Sequence, residues 1–230
     1  MKNKQQEISL LDWDGTLRKG YTLFDWVNYL TNKKLLDNLV FNSLEKSLNE
    51  FQSGLLTYTD LVLNTADIYA KSVAGIDESD LAIEAEIFTL NDSKLFPFVD
   101  NMMSFLHSKK IDIIVISGAP TLVLNAFSSQ LKIDKVFGLD LEKTDNRIYN
   151  GNILNNHGLF DSKKKLVDKF ITEGRKIILG IGNSKSDIPL LEHARKSFII
   201  EPIAQISLPN TCLSNPEKIL IEIKNLWEES

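Results

Sequence analysis

The sequence predicts an α/β protein in which a doubly wound parallel sheet carries an inserted α-helical cap, and three observations point there. Four short apolar runs, rich in β-branched residues, each end in small or polar residues, as strands buried on both faces do. The segments between them place apolar residues at helical spacing, so strand and helix alternate as in a parallel sheet covered by helices. One stretch breaks the alternation: residues 20–91 are helical in pattern and hold no convincing buried strand. The expected division is a core of residues 1–19 and 92–230, with 20–91 inserted as the cap.

The first strand is ISLLD, residues 8–12. Phe24, Val27 and Leu30, then Leu61, Val62, Thr65, Ile68 and Tyr69, give the insertion its helical period, and Phe24, Trp26 and Tyr29 read as its core, with the alternative that one or two of them face the cleft. Met102, Phe105 and Leu106 mark the helix before the second strand, IDIIVIS at 111–117, and Leu122, Leu124, Phe127 and Leu131 the helix after it. In GLDLEKTDNRIYNGNIL, alternating residues flank Thr144-Asp145-Asn146, a turn composition, which predicts a hairpin. Leu166, Val167 and Phe170 precede the third strand, KIILGIG at 176–182; Ile188, Leu190 and Leu191 precede the fourth, KSFII at 196–200. NPEKILIEIKNLWEES closes as an amphipathic helix with Ile219, Ile223, Leu226 and Trp227 inward.

Composition narrows the class. Of 230 residues 43% are hydrophobic and 25% charged, with 11 Gly and 6 Pro, so the chain can bury a sizeable core and is neither fibrous nor disordered. A net charge of −5 argues against a nucleic-acid or anionic-membrane partner. No apolar run approaches the roughly 18 residues of a membrane span, and acids interrupt the first one before it becomes a signal segment. Cys212, the only cysteine, builds no disulfide, redox pair or Cys-based metal site. A cytoplasmic protein with a small-molecule partner is expected.

Ligands of a parallel sheet bind beyond the carboxyl ends of its strands. There stand Asp12-Trp13-Asp14-Gly15-Thr16, Ser117-Gly118-Ala119-Pro120 and Gly182-Asn183-Ser184-Lys185-Ser186-Asp187. One sheet edge therefore collects acid and amide oxygens, a serine hydroxyl and glycine turns that offer backbone N–H groups. Asp12 and Asp14 flank one residue where extended chain gives way to a turn, so their carboxylates can converge. At about 4 Å two such charges repel by about 4 kcal/mol at an effective dielectric near 20, and a cation must offset that. Oxygen donors without His or Cys select a hard ion, and Mg²⁺ is the one commonly shared between carboxylates and a phosphate. The chemistry that follows is phosphoryl transfer. One carboxylate attacks phosphorus to give an aspartyl phosphate and a second acid protonates the leaving oxygen, while Ser117, the Gly118 N–H and a lysine hold the phosphoryl oxygens.

At these residues the chain resembles the haloacid dehalogenase superfamily, in its phosphoserine-phosphatase-like hydrolase branch with a helical cap of the C1 type. DWDGTL, VISGAP, a lysine opening SKKKLVDKF and GNSKSDIPLL are similar, in order, to its four motifs, over nearly the whole chain. The resemblance implies a Rossmann-like core and a Mg²⁺-dependent phosphomonoester hydrolase acting on a small phosphorylated metabolite. It implies Asp12 as nucleophile and Asp14 as general acid and then base. Asp14 also lends its backbone carbonyl to the metal, with Asp12 and Asp187 as side-chain ligands, and Ser117 and Lys163 bind phosphate. Lys164 and Lys165 are alternatives to Lys163, which is preferred because Val167 and Phe170 then fall four and seven residues later on the core side.

Two departures bear on function. Asn183 stands where the fourth motif often has an acid; its amide oxygen can reach a metal but adds no charge, which favours an alternative, a weakly catalytic phosphate-binding or regulatory module. RKGYTLFDWV has no glutamate and no arginine lies between Arg18 and Arg147, so phosphoserine is not the expected substrate. Asp14 argues against a dehalogenase, and Gly180-Ile181-Gly182 lacks the third glycine of a dinucleotide fingerprint. Asn183, Ser184 and Ser186 also suit helix capping, Ser186 for the helix starting near Ile188. Trp13 is read as packing beneath the cap, and His107, His157 and His193 as surface or hydrogen-bonded residues.

Overall fold

In the computed structural model, which describes residues 6–202 and 206–228, β1 (Glu7–Leu11) lies within a seven-stranded sheet between β2 (Asp112–Pro120) and β5 (Lys176–Gly182). Beyond β2 come β3 (Lys135–Lys143) and β4 (Tyr149–Asn156); beyond β5 come β6 (Lys196–Ile200) and β7 (Thr211–Ser214). Every pairing is parallel except β3 with β4, the hairpin read from the turn at Thr144. The strand order thus runs outward from β1 in both directions. The crevice between diverging crossovers opens at the carboxyl ends of β1, β2 and β5.

Between β1 and the return to the sheet the chain forms α1 (Thr22–Asn32), α2 (Asn38–Gln52), α3 (Tyr58–Ser72) and α4 (Glu78–Leu90). Three of these starts are written in the sequence: Asp37 and Asp77 accept the N–H groups of Leu39 and Ser79, and Thr57 with Asp60 closes a capping box. Trp26, Tyr29 and Phe88 pack ring on ring at 5.5 to 5.7 Å, and Trp26 Nε1–H donates to the Tyr69 hydroxyl at 3.0 Å. Trp26 and Tyr29 thus pack together as expected, in one cluster continuous with the sheet core, whereas Phe24 lines a cavity. α3 lies against β4 and α4 against α6 (Thr121–Leu131), so the insertion also rests on the sheet layers.

Alternation along the strands sorts the rest into two layers. Ile8 and Leu10 of β1 and Ile114 and Ile116 of β2 pack with Val167 and Phe170 of α7 (Phe160–Thr172) and Leu190 of α8 (Ile188–Glu192). Ile113 and Val115 join the other layer with Met102 and Leu106 of α5 (Val99–Ser108) and Phe127 of α6. Ile219 and Ile223 of α9 (Ile219–Glu228) are buried there too, and Trp227 meets Phe105 at 5.2 Å; the side chain of Leu226 lies outside the described residues. No helix among the described residues is long and apolar enough to cross a membrane.

Two elements differ from the sequence expectation. β7 was not predicted, because TCLS is short, at the sheet edge, and leaves Leu213 exposed, so no apolar pattern marks it. β2 runs on to Pro120, past the expected end at 117, through an irregular register with β3.

The two connections to the insertion run side by side: Lys19 N–H donates to the Lys94 carbonyl at 2.9 Å and Phe96 N–H to the Leu17 carbonyl at 2.9 Å. Arg18, 1% exposed, clamps them with ion pairs to Asp92 at 2.6 Å and Asp25 at 2.8 Å. Replacing it leaves a buried, uncompensated Asp92. Arg18→Met is therefore expected to lower the unfolding free energy by about 3–5 kcal/mol, measured by urea denaturation; a loss below about 1 kcal/mol, as for a surface pair, would show that the clamp is not structural.

Candidate active site

Asp12 directly follows β1, its N–H donating to the Ile181 carbonyl of β5 at 2.9 Å. The Trp13 carbonyl then accepts the N–H groups of Thr16, Leu17 and Arg18 at 2.8 to 3.1 Å, a tight turn that carries Gly15 at φ +74°. A Cβ on Gly15 would lie 2.0 Å from Asn183 Nδ2, so glycine here also lets the loops after β1 and β5 touch. Trp13 is fully buried, 4.8 Å from the Phe127 ring, with its indole N–H donating to Thr22 Oγ1 at 2.9 Å. It packs between the core and the insertion.

Lys163 ties the loops together. From the first turn of α7 its Nζ donates to Asp12 Oδ1 at 2.8 Å and to Asp187 Oδ1 at 2.5 Å. Thr16 Oγ1 donates to the other oxygen of Asp12 at 2.9 Å. The other oxygen of Asp187 accepts the N–H groups of Asn183 and Ser184 and the Ser184 hydroxyl at 2.8 to 3.0 Å. Burial pushes the Asp12 carboxyl up to about 6, reinforced by Asp187 and opposed by Lys163 and Thr16. Burial also disfavours the Lys163 ammonium, but Asp12 and Asp187 outweigh it and hold its pKa above the ordinary lysine value.

Asp14 Oδ1 accepts the Thr22 N–H at 2.9 Å and the Thr22 hydroxyl at 2.5 Å, and among the described residues no group bonds its second oxygen. Burial raises its pKa to about 7, against the pull of Thr22 and Arg18. A carboxyl that titrates near neutrality can give a proton and take one back. Ser117 is buried and its Oγ accepts the Ala119 N–H at 3.1 Å, which leaves the hydroxyl hydrogen free to donate. Gly118 and Gly158 press their backbones together: a Cβ on Gly158 would come within 2.8 Å of Gly118 Cα.

Asp12, Asp14, Ser117, Gly118, Lys163 and Asn183 all line one cavity of about 240 Å³, roofed by side chains of α1 and α3. Asp187 is set behind Lys163 and fully buried. Lys164 and Lys165 are exposed, Lys164 pairing with Asp168 at 2.7 Å. The capping role expected of Ser186 belongs to Ser184, which closes a capping box with Asp187 on a single 3₁₀ turn, Lys185–Asp187, while Ser186 only bonds the Ser184 hydroxyl. His157 is buried, its Nδ1 2.8 Å from Ser162 Oγ. The sequence reading passed over Thr22, which holds Asp14, and Thr16, which holds Asp12; Thr16 at least stood inside the Asp-x-Asp-Gly-Thr motif.

The donor set fits a hard divalent cation that completes its shell with substrate. Among the described residues no group of three or more His, Cys, Asp or Glu is placed to hold an ion unaided. Asp12 and Asn183 line the cavity with carboxylate and carboxamide oxygens, whereas both oxygens of Asp187 already accept, one from Lys163 and the other from the Asn183 and Ser184 N–H groups. Mg²⁺ is commonly held by one or two carboxylates plus phosphate oxygens and water. Among the described residues the Asn183 carboxamide makes no hydrogen bond that would have to be broken.

The model of the haloacid dehalogenase-like hydrolase family matches residues 10–192, and the chain belongs to that family. Among solved structures it is similar to a protein of unknown function from Bordetella pertussis Tohama I, with TM-score 0.71 and 17% identity over 86% of this chain and 92% of that one. A substrate-bound phosphoserine phosphatase has TM-score 0.66 and 15% identity over 97% and 99%. A phosphoserine phosphohydrolase-like protein from Francisella tularensis subsp. tularensis SCHU S4 has TM-score 0.61 and 18% identity over 85% and 87%. At these identities the likeness is one of fold. A comparison with curated proteins gives no match.

Removing the Lys163 ammonium leaves two buried carboxylates facing each other. Lys163→Met is expected to destabilise the protein at pH 7 by about 3–5 kcal/mol, and the added change Asp187→Asn to restore part of that loss. Additive losses in denaturant titrations of the two single variants and the double variant would contradict this coupling.

Proposed function

We propose that the chain is a Mg²⁺-dependent phosphomonoester hydrolase that works on a small phosphorylated metabolite through a phosphoryl group carried on Asp12. The observation that carries the reading is the pairing of Asp12 with Lys163 on the same cavity as Asp14, a carboxyl whose pKa of about 7 suits acid and base work in turn. Membership of a hydrolase family supports it, as does a fold shared with phosphoserine phosphatases. On this reading residues 20–91 act as the cap that excludes bulk water, and the lone Cys212 suits a reducing cytoplasm.

Asp12 Oδ1, held by Lys163, attacks phosphorus as the bond to the leaving oxygen breaks. Asp14, its Oδ1 fixed by Thr22, gives the proton from its free oxygen to that leaving oxygen. Asp14, now a carboxylate, takes a proton from an entering water whose oxygen attacks the aspartyl phosphate. The bond between phosphorus and Asp12 breaks, and inorganic phosphate departs. Lys163, the Ser117 hydroxyl and the Gly118 N–H hold the phosphoryl oxygens as charge grows on them. Asp12, Asp187, Asn183 and the Asp14 carbonyl are the groups that would hold Mg²⁺, which when bound neutralises the phosphoryl oxygens against the carboxylates.

Asn183 favours a second reading, phosphate binding with little turnover, since a neutral amide holds a cation less strongly than a carboxylate. One assay separates the two. Phosphate release from p-nitrophenyl phosphate is expected with Mg²⁺, to stop with chelator, and to fall at least about 10³-fold in Asp12→Asn. Turnover undiminished by that change would remove the nucleophile; Mg²⁺ binding without turnover across a broad ester panel would favour the second reading.

A further inference from the structure

The half of the cavity facing away from the carboxylates belongs to the insertion and has a chemistry of its own. Tyr58, Leu61, Val62 and Thr65 recur at helical spacing and present one face of α3 to it, and Leu23 and Phe24 add the first turn of α1. None of these side chains is charged. Among the described residues the charged groups on the lining are Asp12, Asp14 and Lys163, all contributed by the sheet side. Cations that stand near are already committed. Lys163 is bonded to two carboxylates. Arg18 is buried with Asp92 and Asp25, and Lys94, beside Gly20 at the cavity wall, is bonded to Asp25 at 2.8 Å.

A bound carboxylate or ammonium on this face would lose its hydration without gaining a counter-ion, whereas an apolar group would gain by leaving water. Two hydroxyls of the wall, those of Tyr21 and Tyr58, make no hydrogen bond among the described residues; that of Thr65 is taken by the Leu61 carbonyl at 2.8 Å. Burial, with Asp12 and Asp187 nearby, pushes the Tyr58 phenol up, so it stays a neutral donor. The volume of about 240 Å³ lies under the roughly 300–1,000 Å³ usual for ligand pockets, so a phosphoryl group leaves room for only a small companion.

From this wall we infer that the cavity selects phosphate monoesters of small, uncharged, largely apolar alcohols or phenols. The organic group beds on Phe24, Leu61 and Val62, and the Tyr58 hydroxyl meets its polar end. In turnover, water supplies hydroxyl to phosphorus and a proton to the leaving oxygen, releasing the neutral alcohol and inorganic phosphate. Turnover of such esters rests on the hydrolase reading above; the binding preference does not.

The test uses phosphonates, which bind without being hydrolysed. With Mg²⁺ present, calorimetry is expected to find benzylphosphonate bound at least about a hundredfold more tightly than the phosphonate analogue of phosphoserine, whose ammonium and carboxylate find no partners. Equal or tighter binding of the amino-acid analogue overturns the proposal whatever the turnover. Val62→Lys, at a half-buried site of α3 on the cavity lining, is expected to weaken benzylphosphonate about tenfold and to strengthen phosphonoacetate; an unchanged ratio in the folded variant counts equally against it. Preference for benzylphosphonate without release of phosphate from benzyl phosphate would support the selectivity and count against the hydrolase reading alone.

Discussion

The site depends on one buried ammonium. Lys163 is 1% exposed and donates to both Asp12 and Asp187, so it joins the end of β1, the first turn of α7 and the loop after β5 at a single atom. Without it two desolvated carboxylates would face each other, Oδ1 of each having lost the cation it accepts from. The same bond aims Asp12 Oδ1 at the cavity. Structural and chemical roles coincide in it, since a lysine needed to hold the loops is also the positive group beside the phosphoryl site.

Around this bond the protein separates two kinds of surface. Among the described residues the charges on the cavity lining are Asp12 and Asp14, from the turn after β1, and Lys163, from the first turn of α7. The insertion contributes the neutral wall and also reaches back to the chemistry. Thr22, in the first turn of α1, accepts from the Trp13 indole and donates to Asp14, so the orientation of that carboxyl depends on how the insertion sits. The paired connections at Lys19 with Lys94 and Leu17 with Phe96, clamped by Arg18, set that position.

Much of this arrangement was legible before any coordinates. Strands buried on both faces must be continuously apolar, so β1, β2, β5 and β6 stand out, and residues at or just past the carboxyl ends of three of them reach the cavity. The spacing of Lys163 to Val167 and Phe170 singled out the inward lysine, because a helix buries one stripe. What escaped depends on contacts distant in sequence or on short exposed chain. Thr22 holds Asp14 only because α1 folds back over the loop after β1, and no periodicity encodes that return. Arg18 meets Asp92 across the whole insertion. β7, a partly exposed edge strand, lacks the hydrophobic run that marks its neighbours. Ser184 and Ser186 are indistinguishable by spacing rules alone, and the capping box with Asp187 decides between them.

The claim on which the functional account stands is that the Asp12 carboxylate becomes covalently phosphorylated. Quenching the protein during turnover of a phosphate ester with borohydride, which reduces an acyl phosphate to the alcohol, and mapping the chain by mass spectrometry reads this directly. The account predicts homoserine at position 12 and unmodified aspartate at 14 and 187. Sustained phosphate release with Asp12 unreduced, or with the reduced residue elsewhere, would contradict it.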